Sequence, residues 1–277
     1  MSMLQAMIFA AGLGTRLRPL TDDRPKALVE VAGRPLLGHL ILKMKAQGFG
    51  RIVVNVHHHG EQIADYLEAN GRFGLDVRVS DERAALLDTG GGLKRALPLL
   101  DPAEPVVVHN ADVVTDLDLA GLCAAATDMP AAASLVVSQR ATSRYLLFDP
   151  RGGALRGWMR VVPGADGGPA EVDYRIGGGE AVRCAAADVP PAVAEWLPMA
   201  FSGIHVVTPR LYPVLAAQSR DVFSVVDFYL AVCRAQTVCA IPHPEGTQWV
   251  DCGRVENLDA AARILCSAAY GEASATD

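Results

Sequence analysis

Met7-Ile8-Phe9-Ala10-Ala11-Gly12-Leu13-Gly14-Thr15-Arg16-Leu17-Arg18-Pro19-Leu20-Thr21, continuing to Arg24-Pro25-Lys26-Ala27-Leu28-Val29, decides how the rest of the chain reads. Met7 to Ala11 are all apolar, the pattern of a short strand covered on both faces. Gly12 and Gly14 remove side chains where a ligand approaches the backbone. Successive N–H groups in such a turn form an anion-binding concavity. Arg16, Arg18, Arg24 and Lys26 then put four positive charges into one short loop, in a chain whose formal net charge is −6. Positive charge this local fits a polyphosphate, a triphosphate above all. The loop is neither of two commoner phosphate-binding turns: no G-x-x-x-x-G-K-[ST] string exists, and Leu17 stands at the third glycine position of G-x-G-x-x-G.

From Met7 to Val31 the chain resembles the sugar-1-phosphate nucleotidyltransferases, whose signature is a GxGxR…PK loop directly after the first strand. The resemblance implies an α/β fold: one Rossmann-like, GT-A-like domain over residues 1–277. It has a mixed, mostly parallel central sheet flanked by helices and a smaller antiparallel sugar-binding lobe. Residues 1–117 are expected to form the nucleotide-binding half and 118–247 the sugar-binding half. Residues 248–266 would bring a second metal acid and a closing helix, and 267–277 a frayed tail.

Composition agrees with a folded enzyme. Of 277 residues, 51% are hydrophobic, enough for a sizeable core. The acidic balance argues against a nucleic-acid surface. No apolar run approaches the roughly 20 residues that cross a bilayer, and the pattern before the first strand is not one expected of a signal peptide. The six cysteines, at 123, 184, 233, 239, 252 and 266, show neither CxxC nor zinc spacing. Reduced, mostly buried thiols in the cytoplasm are expected, with Cys252 a small apolar filler.

Strands and helices alternate through the first part, the mark of a parallel sheet. Apolar spacing predicts helices over 35–48 and 61–70, and strands over 51–56, 75–79 and 105–113. His57, His58 and His59 read as a loop at a strand's carboxyl end. Gly90-Gly91-Gly92 read as a close-approach segment just before a helix. Pro105 to Val113 reads as one buried strand ending on Asp112, where open α/β sheets bind ligands. Antiparallel additions follow over 132–139, 145–149 and 152–158. Residues 163–191, rich in Gly, Pro and Ala, read as an irregular lobe or flap. Strand 200–207 and helices 209–217, 224–230 and 255–265 complete the chain, with Ser224 as a helix cap and Asp227 at the capping-box position.

The resemblance assigns roles to residues. Ala11, Gly12, Gly14, Thr15, Arg16 and Lys26 would cradle the triphosphate, Arg16 clamping the leaving pyrophosphate and Lys26 meeting the α-phosphate. Asp88, Thr89, Gly90 and Asn110 would meet the nucleoside. Asp112, in Asn110-Ala111-Asp112, and Asp251, in Trp249-Val250-Asp251-Cys252-Gly253, would hold Mg²⁺. Mg²⁺ commonly uses one or two carboxylates plus substrate oxygens. Arg144, Gly157, Ser202 and Gly203 fall on the sugar side. Relatives carry a lysine for the sugar's phosphate, but the four lysines here are at 26, 43, 45 and 94. An arginine would replace it, with Arg144, Arg156 and Arg160 as candidates.

The implied reaction joins an NTP to a sugar 1-phosphate, giving an NDP-sugar and pyrophosphate. UTP with N-acetylmuramic acid 1-phosphate, in cell-wall recycling, leads. Guanylyl transfer to mannose or heptose 1-phosphate, cytidylyl transfer, and a non-catalytic regulatory subunit are the alternatives. Monomer and homodimer both stay open, and no nucleic acid or membrane partner is expected.

Overall fold

The computed structural model describes residues 3–164, 168–267 and 270. In chain order the elements are β1 (Leu4–Phe9), β2 (Glu30–Val31), β3 (Arg34–Pro35), α1 (Leu36–Ala46), β4 (Phe49–Val56), α2 (Gly60–Ala69), β5 (Asp76–Asp81) and α3 (Asp88–Ala96). Next come β6 (Val106–Asn110), β7 (Val113–Thr115), α4 (Leu119–Asp128), β8 (Ala133–Ser138), β9 (Arg144–Phe148), β10 (Leu155–Pro163), β11 (Pro169–Ile176) and β12 (Val182–Ala185). The remainder is α5 (Pro191–Ala194), β13 (Leu197–Val207), α6 (Tyr212–Ala216), α7 (Val225–Val232), β14 (Val238–Pro242), β15 (Trp249–Asp251) and α8 (Leu258–Leu265).

The fold is mixed α/β around one eleven-stranded sheet, in the order β12-β11-β10-β9-β13-β6-β1-β4-β5, with β8 on β13 and β14 on β8. The centre, β6-β1-β4-β5, is parallel. Strand β13 joins it antiparallel and carries both the β8–β14 branch and the antiparallel β9–β12 arm. Alternation along β1 explains its uniformly apolar sequence. Ala6 and Ile8 enter a core with α1, α2 and α4, while Met7 enters the opposite core with α3, α6 and α7. Both faces are covered, so neither tolerates a polar side chain. Each fully buried aliphatic contributes about 1.5–3 kcal/mol. No helix among the described residues is long and apolar enough to cross a membrane.

Three sequence expectations change. The three glycines lie inside α3, not before it, because helix packing needs them there. Gly90 and Gly91 both donate N–H to Phe223 O, at 2.9 and 3.2 Å. A Cβ on Gly90 would strike the Phe223 ring, and one on Gly91 the Asp221 carbonyl. The predicted strand 105–113 breaks after Asn110, and its remainder leaves the main sheet to pair with β15. The segment read as irregular, 163–191, holds β11 and β12. Val172 and Tyr174 alternate inward there, and Asp173 bonds across to Arg160 Nε at 2.9 Å and Arg183 Nε at 2.6 Å. Those arginines hold the Asp173 carboxyl down at about 2. Local glycine and proline content hid this period. The expected tail, 267–277, lies outside the described residues except for Ser267 and Tyr270.

Two buried histidines lie on the neighbouring strands β6 and β13 and point to opposite faces of the sheet, His109 in register with Ile204 and His205 with Val108. His109 is 0% and His205 1% exposed. Neither nitrogen of His205 has a partner, nor does Nε2 of His109. Burial pushes them down to about 4 for His109 and about 3 for His205. The unfolded chain therefore binds protons that the native state refuses once pH falls below about 6.5. Each histidine should cost up to about 2 kcal/mol of stability on going from pH 7 to pH 5. Urea midpoints at the two pH values check this, and His205→Leu should flatten the dependence; an unchanged slope refutes it. Gly91→Ala should lose about 1–3 kcal/mol by overpacking. Gly152→Ala, with open space around it, should unfold at the wild-type urea midpoint.

Candidate active site

The glycine loop is fixed from both ends. Ala10 N–H donates to Asn55 Oδ1 at 2.7 Å, and Asn55 Nδ2 donates to Glu82 Oε1 at 2.8 Å. Glu82 is 2% exposed, and burial raises its carboxyl above the usual range. At the far end Gly14, at φ +64°, turns the chain and its carbonyl accepts from Thr21 Oγ1 at 2.8 Å. A short 3₁₀ turn, Thr15–Leu17, then drives Leu17 into a core shared with Cys252 and Ala261. That shared core sets Arg16 beside the Asp251–Gly253 segment.

Strands β7 and β15 bring the two acids together. Asp251 is in register with Val113, and Cys252 N–H donates to Asp112 O at 2.7 Å. Lys43 braces this ribbon from α1, its ammonium donating to Thr115 O at 2.6 Å inside the protein. Burial pushes that lysine down to about 8. Cys252 is fully buried, its thiol pushed up to about 12 by burial and by Asp112. It serves packing, as the sequence suggested.

Four charged groups converge on Gly253. Lys26 Nζ donates to Asp112 Oδ2 and lies 4.0 Å from Asp251 Oδ1. A Cβ on Gly253 would sit 2.8 Å from Asp251 Oδ1, 2.9 Å from Arg16 Nη2 and 3.1 Å from Lys26 Nζ. The backbone at Gly253 thus passes within reach of all three side-chain ends. The acids lie 86 to 225 residues from Lys26 in sequence, and one ammonium bridges them. Their oxygens suit a hard divalent ion, and the lysine already shows that a cation fits between them. Among the described residues no group of three or more His, Cys, Asp or Glu could hold a metal, the 57–59 histidines included.

Two clefts meet at this cluster. The smaller, about 180 Å³, is lined by Phe9, Ala10, Gly12, Lys26, Thr89, Asn110 and Asp112, among others. Thus Gly12, Lys26, Thr89, Asn110 and Asp112 line one cleft. Thr15 and Arg16 are exposed at the loop's outer edge, and Ala11 is buried beneath it. Asp88, at φ +59°, does not line this cleft; its carboxylate accepts from Thr89 N at 2.6 Å. Gly90 is buried and its N–H is taken by Phe223, so it is not free to meet a base. Thr89 Oγ1 in turn accepts from Val225 N at 2.9 Å, at the start of α7.

The larger cleft, about 570 Å³, is lined by Arg140, Arg144, Tyr145, Trp158, Arg160, Arg175, Phe201, Asp227 and Asp251, among others. Arg144 and Arg160 belong to it. Arg156 does not; it pairs with Asp149 at 2.9 Å. Ser202 and Gly157 lie outside the lining. Ser202 is buried with its hydroxyl on His243 Nε2 at 2.8 Å, and its carbonyl accepts from Trp249 Nε1 at 2.9 Å. Gly157 serves strand packing, since a Cβ there would strike the Arg175 carbonyl. Gly203, at φ +74°, forms a bulge in β13 against Asn110. Asp227 accepts from Arg175 Nη2 at 2.6 Å, so it joins α7 to β11 besides sitting at the helix start.

Sequence reasoning missed Asn55, Glu82, Arg140, Trp158 and Arg175. Asn55 had a signal: a polar residue inside the apolar run 52–56 asks for a buried partner. The others gave none, because each meets its partner only through strand pairing and packing: Glu82 on Asn55, Arg140 on Trp249, and Arg175 on Trp158 where β10 and β11 fold back.

Comparison with known proteins agrees with this geometry. The family profile described as "Nucleotidyl transferase" matches residues 5–146. The N-acetylmuramate alpha-1-phosphate uridylyltransferase of Caulobacter vibrioides is 34% identical over 276 residues, 97% of each chain. That of Neisseria meningitidis serogroup B is 44% identical over 127 residues, 46% of this chain and 54% of the relative's length. In fold the chain is similar to HddC from Yersinia pseudotuberculosis complexed with GMP-PN, at a TM-score of 0.67 and 20% identity, over 94% of this chain and 99% of that one. With the family profile covering half the chain and a relative aligned nearly end to end, the chain belongs to the nucleotidyl transferase family and is a sugar-1-phosphate nucleotidyltransferase.

Proposed function

We propose that the protein transfers the uridylyl group of UTP to N-acetylmuramic acid 1-phosphate, giving UDP-N-acetylmuramic acid and pyrophosphate, as a cytoplasmic step of cell-wall recycling. The observation that carries the reaction type is the convergence of Arg16, Lys26, Asp112 and Asp251 around Gly253. The uridylyl and muramic assignments rest on the two uridylyltransferase relatives. The larger cleft supports the sugar: four arginines line it, against Asp227 and Asp251. This surplus suits a substrate with a carboxylate as well as a phosphate.

In this reading a phosphate oxygen of the sugar 1-phosphate attacks the α-phosphorus of UTP. The bond from that phosphorus to the β-phosphate's bridging oxygen breaks, and pyrophosphate leaves with the electron pair. The nucleophile is already ionised, so no general base is required. The Gly12–Thr15 loop and Arg16 hold the β- and γ-phosphates and take up the charge on the leaving group. Lys26 turns from the acids to the α-phosphate. Asp112 and Asp251 would hold Mg²⁺, which supplies charge neutralisation at the phosphates.

Lys26→Ala and Asp251→Asn should each lower turnover by about 100-fold or more, as loss of one charge-stabilising group does. Pyrophosphate release measures it, and wild-type turnover in both variants would refute the assignment. Chelation with EDTA should stop the reaction and added Mg²⁺ restore it. Across UTP, GTP, CTP and dTTP with glucose, mannose, N-acetylglucosamine and N-acetylmuramic acid 1-phosphates, kcat/KM should peak for UTP with the muramic sugar. A peak for GTP with mannose 1-phosphate would replace this reading.

A further inference from the structure

The larger cleft contains four arginines, and three of them are accounted for or peripheral. Arg160 is bound to Asp173. Arg175 is bound to Asp227, its guanidinium lies 5.2 Å over the Trp158 ring, and its Nε is likewise buried without a partner, so what sets it apart from Arg140 is the Asp227 carboxylate. Arg144 is exposed at the rim. Arg140 differs. It follows β8 directly and is half-buried. Its guanidinium carbon lies 4.5 Å from the Trp249 ring centre, and Nη2 donates to Phe201 O at 2.9 Å. Its Nε is buried and has no partner. Among the described residues no carboxylate lies within ion-pair distance of it.

A guanidinium withdrawn from water, held flat by an aromatic face and one carbonyl, keeps N–H donors that the protein does not satisfy. Such a donor set is matched by a planar or tetrahedral oxyanion. Its place narrows the choice. Arg140 stacks on Trp249, two residues before Asp251, and both Arg140 and Asp251 line the cleft. An anion on Arg140 therefore sits beside the acid that faces the nucleotide cluster. Arg160 and Arg175 lie with Trp158 on the β10–β11 strands, towards the second depression that these three share, and Arg144 stands at the start of β9.

We infer that Arg140 binds the phosphate monoester of the sugar substrate and presents it to the nucleotide's α-phosphate. No lysine lies beyond residue 94, and the cations lining this cleft are all arginines. Trp249 fixes the plane of the guanidinium, so charge alone does not reproduce the site. This inference rests on the reading of the larger cleft as the sugar phosphate site.

Two measurements test it on the full chain. In steady-state kinetics Arg140→Gln should raise KM for the sugar 1-phosphate about tenfold or more, the loss of one charge-assisted contact, with KM for UTP within about twofold. Arg140→Lys should recover part of that loss, and Arg151→Gln, on an exposed turn, should match the wild type. Calorimetric titration with N-acetylmuramic acid 1-phosphate alone should show binding to the wild type and its loss in Arg140→Gln. Equal rises in both KM values, or unchanged sugar-phosphate KM and binding in the folded variant, overturn the inference. If Arg140→Gln does not fold, Arg140→Lys decides by the same split. A wild type that binds the sugar phosphate through Arg140 but turns over no nucleotide would sink the proposed reaction and leave this inference standing.

Discussion

One backbone hydrogen bond, Cys252 N–H to Asp112 O at 2.7 Å, and the short ribbon around it put two distant carboxylates on the same cation. The chain leaves its main sheet after Asn110 to make that pairing possible. Lys43 and Thr115 secure one strand of the ribbon, and Cys252 buries the other in the core that also takes Leu17. The glycine loop and the second acid are thus parts of one packed unit. Arg16 and Lys26 reach the acids because Leu17, Cys252 and Gly253 leave no slack between them.

The front of the molecule was readable from sequence for a physical reason. Local rules govern it: an apolar strand, a turn needing glycine, then a basic loop. Strand ends in a parallel sheet point one way, so an acid just past the end of a buried strand falls on the ligand side. The pairing of Asp112 with Asp251 came from the resemblance, since nothing in a window of residues reports a contact 139 positions away.

The glycine triplet and the arginine-lined cleft show where local reading ends. Gly90-Gly91-Gly92 signalled close approach, and the approach is real, but its object is the chain at Asp221–Phe223 rather than a ligand. A missing Cβ does not say what fills its place. Likewise Gly157 and Ser202 lie next to the cleft wall, yet alternation along a strand turns one neighbour in and the next away. Arg140 and Arg175 face the cleft only because Trp249 and Trp158 lie under them.

The same helix contacts have a mechanical meaning. Thr89, on the nucleotide cleft, is bonded to the first turn of α7, and the α3 glycines are bonded to the residues just before that helix. The floor of one cleft and the mouth of the other therefore behave as a single rigid plate. The opposite wall, the antiparallel β9–β12 arm, sends Leu146, Phe148 and Leu155 into the same buried core as α7. Its Arg175–Asp227 bridge to α7 is partly open to water and so inexpensive to break. Cutting that bridge alone would therefore leave the arm seated, because its apolar side chains keep their place against the helix.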